Sequence, residues 1–252
     1  MGQLDGRTAL VTGSTSGIGR GIALTLAAAG AHVVVTGRNL DRGEAVAAAI
    51  RSAGGTANFI GAELASADDA RALATAVLEV PGGRLDILVN NAGIFPGTAT
   101  LGLTDDVFSA VLDTNVRAPF FLTQALLPSM LERGNGVVIN VGSWVASVGI
   151  SAGTLYAASK AMVEALTRGW ASEFGSRGIR VNTLTPGLVA SDPDPSSPAN
   201  QRRHEMAERM PGGRAASVED IAQAALFLAS DASSYLHGTS LVVDGGALAT
   251  RL

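Results

Sequence analysis

The chain has 252 residues, of which 47% are apolar, so it can form the core of one α/β domain or of two small domains. Its formal net charge of -4 argues against a nucleic acid or an anionic membrane surface as a partner. The sequence contains no cysteine, which excludes disulfide bonds and thiolate metal sites.

No apolar run reaches the ~18 residues that a membrane-spanning helix needs, so no membrane partner is expected. The first residues contain no apolar secretory core, and Gly6 stands where an N-myristoylation signal has Ser or Thr. We therefore expect a soluble cytoplasmic protein.

The first predicted strand, residues 8–12, leads into a glycine-rich turn. The turn reads Gly13, Ser14, Thr15, Ser16, Gly17, Ile18 and Gly19, and a helical pattern over residues 20–29 follows it. Glycines let a backbone approach a pyrophosphate, and a helix N-terminus offers free N–H groups. The spacing differs from the G-x-G-x-x-G dinucleotide fingerprint, so a simple turn is the alternative. The flanking strand and helix favour cofactor binding.

The second predicted strand, residues 32–36, is followed by Gly37, Arg38 and Asn39. NAD-binding domains place an acid about 20 residues beyond the glycines to bind the ribose hydroxyls, whereas NADP needs a cation for its 2′-phosphate. Residues 36–39 contain no acid, and Arg38 supplies a cation. The sequence therefore favours NADP(H). A solvated loop arginine is the alternative, and the nearby Asp41 keeps NAD(H) open.

Two alanine-rich helices are predicted over residues 41–53 and 66–80, with a short strand over 57–61 between them that leads to Glu63 and Leu64. A fourth strand, residues 85–89, ends in Asn90, Asn91, Ala92 and Gly93. Open α/β sheets bind ligands at the carboxyl ends of their strands, so these small residues are candidate cofactor contacts. A capped turn explains them equally well.

A long helical pattern covers residues 105–133 and carries Asn115 among apolar neighbours. A buried amide needs hydrogen-bond partners. Asn115 could kink its helix, which would be a structural role, or hold a water linked to Lys160, which would be a functional one.

A buried strand over residues 137–141 ends at Gly142 and Ser143. Tyr156 and Lys160 follow on a predicted helix, and their separation of four residues places them on one helix face. A free phenol has a pKa near ~10, and a neighbouring ammonium lowers it. The pair could act as a tuned acid and base, although a packed ring beside a solvated charge is the ordinary interpretation.

Two more strands are predicted, residues 179–185 leading to Pro186 and Gly187, and residues 240–244 leading to two glycines. Strand and helix thus alternate without a dividing linker. This pattern predicts a single domain over 1–252, with a doubly wound, seven-stranded parallel sheet of the Rossmann type. Residues 188–214 hold four prolines and a charged run, and we expect them to form a mobile substrate lid with a short helix around 200–209.

Together these motifs resemble the short-chain dehydrogenase/reductase family from end to end. The matching pieces are Thr12-Gly13-x-x-x-Gly17-Ile18-Gly19, Asn90-Asn91-Ala92-Gly93, Asn115, Ser143, Tyr156-x-x-x-Lys160, Pro186-Gly187 and Val243-Asp244-Gly245-Gly246.

The resemblance implies a catalytic tetrad and a nicotinamide cofactor. Tyr156 would exchange a proton with the substrate oxygen, Ser143 would donate a hydrogen bond there, and Lys160 would lower the Tyr156 pKa and bind the nicotinamide ribose. Asn115 would anchor a water that leads to Lys160. The implied cofactor contacts are the glycine turn, Arg38, Asn39, Glu63, Leu64, Asn91, Ala92, Gly93, Tyr156, Lys160, Pro186, Gly187 and Val189. The implied reaction is the NADP(H)-dependent interconversion of a ketone and a secondary alcohol.

Two positions depart from the family pattern. Relatives often have Asp-Val or Asp-Leu where Glu63 and Leu64 stand, so the adenine contact is altered. Many NADP-preferring relatives carry a basic residue within the glycine turn, whereas Ser14, Thr15 and Ser16 are neutral. The NADP(H) prediction therefore depends almost entirely on Arg38.

The predicted substrate pocket is apolar and suits a hydrophobic or aromatic ketone, or its alcohol. It combines Phe95, Trp144, Val145 and Leu188 with the catalytic Ser143 and Tyr156. Three alternatives stay open: a 3-oxoacyl-carrier-protein reductase, an NAD-dependent alcohol dehydrogenase and a nucleotide-binding sensor. Gly134 and Ser172 occupy positions where carrier-binding relatives have basic residues, although Arg133, Arg168 and Arg177 lie nearby in sequence.

No metal site is expected, because the three histidines stand alone. The resemblance further implies a homodimer or homotetramer packed through the helices over 105–133 and 156–175. The bulky residues on these helices, namely Phe120, Phe121, Trp170 and Phe174, together with Ala165, could bury against a partner or within one chain.

Overall fold

The computed structural model describes residues 2–80 and 83–250. Positions 1, 81, 82, 251 and 252 of the predicted domain lie outside the described residues. The strands are β1 (Thr8–Val11), β2 (His32–Gly37), β3 (Thr56–Gly61), β4 (Ile87–Asn90), β5 (Gly136–Val141), β6 (Ile179–Pro186), β7 (Val189–Ala190), β8 (Ala216–Ser217) and β9 (Ser240–Val243).

The helices connect these strands and agree with the predicted alternation. They are α1 (Gly17–Ala28), α2 (Leu40–Ser52), α3 (Ala67–Leu78), α4 (Asp105–Leu112), α5 (Ala118–Arg133), α6 (Thr154–Phe174), α7 (Pro198–Ala207) and α8 (Val218–Ala229). In the described part of the chain, no helix is long and apolar enough to cross a membrane.

Seven strands form one parallel sheet in the order β3-β2-β1-β4-β5-β6-β9. The predicted doubly wound fold is therefore confirmed. The winding direction reverses between β1 and β4, and α/β sheets of this kind bind ligands in the crevice beyond the carboxyl ends at such a point.

Alternate residues of the central strands enter two separate cores. Leu10, Val34 and Leu88 contact the core formed with α3, α5 and α6. Their chain neighbours Val11 and Val35 contact the core formed with α1, α2 and α8. Burial on both faces explains why the strands read as continuous apolar runs rather than as alternating ones.

The prediction of a single helix over residues 105–133 is wrong, because a π-helical turn at Asp113–Arg117 separates α4 from α5. Ala118 N donates to Asp113 O, five residues back. The next residue, Pro119, has no N–H with which to reach the Asn115 carbonyl. The proline and the buried amide of Asn115 together account for the interruption.

The segment 188–214 has more regular structure than the sequence indicates. β7 pairs in parallel with β8 just beyond the segment, as Val189 opposite Ala216. The predicted short helix is present as α7, and Ser197 caps its first turn. The role of the segment as a substrate lid stays a prediction.

Candidate active site

The carboxyl ends of the central strands border a cavity of about 1010 Å³. Its lining comes from the turns after β1, β2, β3 and β4 and from α4, which together surround the point where the sheet reverses direction. The lining residues are Gly13, Thr15, Ser16, Ile18, Gly19, Thr36, Gly37, Arg38, Asn39, Arg42, Ala62, Glu63, Leu64, Ala65, Asn91, Ala92, Gly93, Ile94, Asp106, Ser109, Ala110, Asp113, Thr114 and Ser191.

The glycine turn closes tightly against the end of β4. Gly13 has a φ of +65°, and a Cβ on Gly19 would lie 2.4 Å from Asn91 Nδ2 and 2.5 Å from the Gly13 carbonyl oxygen. Asn91 Nδ2 donates to Thr12 O at 2.7 Å. Only glycine fits at these positions, so the backbone of the turn is left bare toward the cavity.

The N-terminus of α1 opens into this cavity without a side-chain cap. In contrast, α2, α3, α4, α7 and α8 each have a side chain that accepts a hydrogen bond from their first turn. The first N–H groups and the positive dipole end of α1 are therefore available to an anion.

Ser14, a predicted cofactor contact, points away from the cavity. It is fully buried, its hydroxyl donates to Val11 O at 2.6 Å, and that hydroxyl accepts from Thr36 N at 2.9 Å. Its amide donates to Thr36 O at 3.0 Å. Ser14 thus ties β1 to β2, and its polar groups are already paired.

Thr12 organises the segment after β4, a role that the sequence motifs did not reveal. Its hydroxyl oxygen accepts from Asn91 N at 2.9 Å and from Ala92 N at 3.0 Å. These bonds orient Asn91, Ala92 and Gly93 along the cavity wall. The residues are 79 and 80 positions apart, so local pattern offers no signal for the contact.

The far end of the cavity carries exposed charges. Arg38 Nη1 lies 3.9 Å from Glu63 Oε1, and both side chains are mostly exposed. The Asn39 side chain accepts from Arg42 N at 2.8 Å and so caps α2. Arg42 also lines the cavity, although its sequence position within a predicted helix did not mark it as a site residue.

Ser143 and Tyr156 meet beyond β5, outside the residues that line the cavity. Ser143 is buried at the end of that strand, and Tyr156 lies in the first turn of α6. Burial raises the pKa of the Tyr156 phenol, and a hydrogen bond with the Ser143 side chain offsets part of the rise. Desolvation is the largest cause, so the net shift of this pKa is upward, and the lowering by Lys160 stays a prediction.

Lys160 is buried, and its Nζ donates to Val141 O at 2.8 Å. Burial lowers its pKa to about 8, because desolvation disfavours the ammonium. Nζ lies 5.7 Å from the centroid of the Tyr156 ring. The predicted pair thus shares one helix face, with the ammonium held against the end of β5.

Asn115 is buried in the π-helical turn, and its amide is fully engaged. Its Oδ1 accepts from Ile94 N at 2.8 Å, and its Nδ2 donates to Ile94 O at 3.1 Å and to Ser159 Oγ at 3.0 Å. A Cβ on Gly93 would lie 3.3 Å from Asn115 Oδ1 and 3.4 Å from Lys160 Nζ. Gly93 therefore joins the cavity wall to the candidate catalytic residues Asn115 and Lys160.

The predicted substrate residues divide into two groups. The Phe95 ring lies 4.9 Å from the Tyr156 ring at an angle of 56°, and its side chain is about half exposed. Trp144 and Leu188 pack instead against the small core formed with α7 and the C-terminal turn. Val145 is buried. Only Phe95 is therefore in ring contact with Tyr156.

The Pro186-Gly187 motif has a packing role. Gly187 N donates to Val243 O at 3.0 Å, and a Cβ on Gly187 would lie 2.6 Å from Asp244 Cα. Val189 is buried in the core beside α1, α2 and α8. Ser191, four residues after Gly187, lines the cavity, and sequence reasoning missed it.

The aromatic residues of α5 and α6 pack within one chain. The Phe120 ring lies 5.4 Å from that of Phe121 and 5.8 Å from that of Trp170. The homodimer or homotetramer stays a prediction.

Within the described residues, no group of three His, Cys, Asp or Glu side chains is arranged to hold a metal ion.

The chain matches known proteins along nearly its full length. A family model described as enoyl-(acyl carrier protein) reductase matches residues 13–247. A solved structure of a short chain dehydrogenase/reductase family protein is 43% identical, with a TM-score of 0.88 and coverage of 98% of this chain and 100% of that one. The chain belongs to the short-chain dehydrogenase/reductase family. It is an NAD(P)-dependent oxidoreductase acting on CH–OH donors.

Relatives within this family have several named activities. A 3-oxoacyl-[acyl-carrier-protein] reductase of Chlamydia pneumoniae is 36% identical, over 96% of this chain and 97% of the relative. A D-threitol dehydrogenase of Mycolicibacterium smegmatis is 37% identical, over 97% and 94%.

Two further solved structures hold NADP. One, from Beutenbergia cavernae and described as an NAD(P)-dependent gluconate 5-dehydrogenase, is 42% identical with a TM-score of 0.91, covers 98% of each chain, and holds NADP at low occupancy. The other, a 3-oxoacyl (acyl-carrier-protein) reductase from Agrobacterium tumefaciens, is 36% identical with a TM-score of 0.90, over 96% of this chain and 94% of that one.

Proposed function

We propose that this protein reduces a hydrophobic ketone to a secondary alcohol with NADPH, and catalyses the reverse oxidation, with Tyr156 as the general acid and base. The observation that carries the proposal is the cluster of Ser143, Tyr156 and Lys160, whose Lys160 Nζ lies beside Gly93 in the wall of the glycine-lined cavity. NADP in two of the similar solved structures supports the choice of cofactor.

The cavity fits a dinucleotide. Its volume of about 1010 Å³ is at the upper end of the range for small-molecule sites. The bare backbone of the glycine turn and the uncapped N-terminus of α1 suit a pyrophosphate, while Asn91, Ala92 and Gly93 would contact the nicotinamide half. Bound there, the cofactor would supply or accept the hydride.

Tyr156 would donate the proton in ketone reduction. Its raised pKa keeps the phenol protonated at neutral pH, as a proton donor requires. Ser143 would donate a hydrogen bond to the substrate oxygen as negative charge develops on it. The raised pKa favours reduction, because the reverse reaction needs the phenolate.

Lys160 would stabilise the phenolate that remains after proton transfer. With a pKa of about 8, its amine is mostly protonated at pH 7, and a cation favours a nearby anion. The fixed bond to Val141 O holds the ammonium in place. Protons would be resupplied through a water that binds the backbone carbonyl of Asn115. This carbonyl has no helical donor four residues later, because Pro119 has no N–H.

A 3-oxoacyl-carrier-protein reductase is the second candidate, and the name of the Chlamydia relative favours it. Against it, Arg133 Nη2 donates to Leu85 O at 2.6 Å, so this guanidinium is held by its own chain. Phe95 beside Tyr156 favours a free apolar ketone.

A turnover assay tests the proposal. The nicotinamide absorbance would be followed with NADPH and NADH, using aryl ketones, polyhydroxy ketones, a 3-oxoacyl thioester and the matching alcohols. We expect NADPH to be preferred and the aryl ketones to react fastest. Faster turnover with NADH would contradict the cofactor assignment, and a faster thioester would favour the second candidate. Binding of both cofactors without any turnover would indicate a nucleotide-binding sensor.

A further inference from the structure

A row of polar side chains crosses the main sheet close to the candidate catalytic residues. Asn90 of β4, Asn140 of β5 and Thr183 of β6 stand opposite one another in register, and each is at most 4% exposed. The row two residues earlier on the same face of the sheet is entirely apolar and consists of Leu88, Val138 and Val181. Polar groups buried this deeply require hydrogen-bond partners.

The polar row is hydrogen-bonded to α6 through Thr167. Asn90 Nδ2 donates to Asn140 Oδ1 at 2.9 Å, and Asn140 Nδ2 donates in turn to Thr167 Oγ1 at 2.8 Å. Thr183 Oγ1 donates to the same Thr167 oxygen at 2.8 Å, and the Thr167 hydroxyl donates to Val163 O at 3.0 Å. The Thr167 hydroxyl is therefore fully used, as a donor once and as an acceptor twice.

Lys160 makes a second link between β5 and α6. Its Nζ donates to Val141 O at 2.8 Å, and Val141 directly follows Asn140 on β5. Thr167 follows Lys160 by seven residues, which is two turns farther along the same face of α6. The bond between Asn140 and Thr167 therefore joins α6 to β5 about 10 Å along the helix from Lys160.

Polar groups in this row restrict where α6 can lie on the sheet. Apolar side chains tolerate a small displacement of a packed helix, because the hydrophobic effect has no direction. A hydrogen bond weakens steeply with distance and angle, and a displacement would leave the buried Asn140 amide without its partner, which is costly. The bond between Asn140 and Thr167 thus favours a single position of α6.

We propose that Asn140 and Thr167 are positioning residues, which fix α6 against β5 and thereby hold Lys160 on the Val141 carbonyl, beside Tyr156. They act through Lys160 rather than on the substrate. The proposal rests on the function proposed above, in which the Lys160 ammonium stabilises the Tyr156 phenolate. A small misplacement of a catalytic group is enough to slow the reaction.

The triple variant Asn140→Leu/Thr167→Val/Thr183→Val tests the proposal. Replacing all partners of buried hydrogen bonds with apolar groups of similar shape is nearly neutral for stability, so the variant should fold. Its kcat for ketone reduction should fall about tenfold or more, whereas KM and the Kd of NADPH should change less than about twofold. Steady-state assays and fluorescence titration measure these quantities. Thr167→Ser keeps the hydroxyl and should retain most of the turnover.

The matched control is Thr123→Val on α5. Thr123 is as buried as Thr167, and its hydroxyl accepts from Asn90 Nδ2 at 3.1 Å. The variant therefore disturbs the same row but leaves the bond between Asn140 and Thr167 in place. It should lower the stability and leave kcat within about twofold of wild type. An equal loss of kcat in Thr123→Val, or an unchanged kcat in the folded triple variant, would overturn the proposal.

Urea denaturation gives a readout that does not depend on turnover. Burial lowers the pKa of Lys160 to about 8, so wild-type stability rises from there up to the unfolded pKa of about 10.4. If Lys160 is released to water in the triple variant, its pKa returns toward the ordinary value and this rise becomes smaller. The groups around Nζ are the Tyr156 ring, the Asn115 amide, Gly93 and Val141 O, and of these only Tyr156 titrates.

A rise in stability equal to that of wild type would show that Lys160 stays in place without the polar row, and would overturn the positioning role. A reduced rise combined with a wild-type protein that turns over no substrate would support the positioning role and contradict the proposed function instead.

Discussion

Two regions of the candidate site are built in opposite ways. At the Tyr156 end, which adjoins the cavity through Gly93, Lys160, Ser143 and Asn115 are buried and each is hydrogen-bonded. At the other end, Arg38 and Glu63 are mostly exposed and 3.9 Å apart. Proton transfer requires donors held at fixed distances, whereas the choice of cofactor needs only a modest difference in charge. Rigidity is therefore concentrated at the chemical end.

The largest expected effect is at the buried end. Tyr156→Phe removes only the hydroxyl, so turnover should fall ~10²-fold or more through loss of the general acid, while NADPH binding should stay nearly unchanged. Steady-state turnover and fluorescence titration would measure the two quantities. Tyr235→Phe serves as a matched control, because it removes the hydroxyl of an almost fully exposed tyrosine and should leave turnover unchanged. Retained turnover in Tyr156→Phe would remove Tyr156 from the mechanism.

The second prediction concerns the free energy of unfolding, which burial of the Lys160 ammonium lowers. The depression of the Lys160 pKa to about 8 corresponds to about 3 kcal/mol of unfavourable charge burial. Lys160→Met should therefore raise the free energy of unfolding at pH 7 by about 2–3 kcal/mol, while abolishing activity. Urea denaturation would measure the change.

The pH dependence of the stability gained by Lys160→Met provides a control for this prediction. Between about pH 8 and the unfolded pKa of about 10.4, the unfolded wild-type chain binds more protons than the folded one. Wild-type stability therefore rises with pH through this window, and the advantage of Lys160→Met should shrink there. A variant no more stable than wild type at pH 7 would contradict the cost of burial.

A smaller effect is expected between the two ends, at the glycine turn. Gly19→Ala places a methyl group 2.4 Å from Asn91 Nδ2, so the turn must open and NADPH binding should weaken at least about tenfold. Gly169→Ala on α6 is the matched control, because the added Cβ would meet nothing within 4 Å beyond the adjacent backbone of its own helix. Equal binding by the two variants would contradict the close-packed turn.

The exposed end should respond least. Arg38→Ala removes a mostly exposed guanidinium, so it should weaken NADPH binding more than NADH binding and leave turnover at saturating NADPH nearly unchanged. Fluorescence titration and steady-state assays would measure both quantities. If this variant lowered turnover as strongly as Tyr156→Phe does, the division between a buried chemical end and an exposed selective end would fail.

Much of the fold was readable from local pattern. The central strands β1, β4, β5 and β6 appeared as apolar runs because they are buried on both faces of the sheet. The glycines of the turn after β1 indicated a backbone with positive φ, which Gly13 and Gly17 have. The candidate tetrad was implied by the resemblance to the family, which rests on the order and spacing of the motifs. The break at Asp113–Arg117 was missed because residues 105–133 have helical periodicity on both sides of Asn115.

Contacts between residues that are far apart in the chain could not be predicted from the sequence. The partners of the Asn115 amide became known only from the structure, because Ile94 is 21 residues away and Ser159 is 44 residues away. Ser14 looked like a phosphate contact until its hydroxyl was seen to bridge β1 and β2.

The sequence by itself determined the fold class, the order of the motifs along the chain and the chemical groups available for catalysis. These features can be read from residue type and from the periodicity of a few neighbouring residues. Only the tertiary structure decided which of those groups are buried, and therefore the raised pKa of Tyr156 and the lowered pKa of Lys160. Desolvation depends on every chain segment that covers a side chain, and that cover is assembled from the ends of β4, β5 and α6 together.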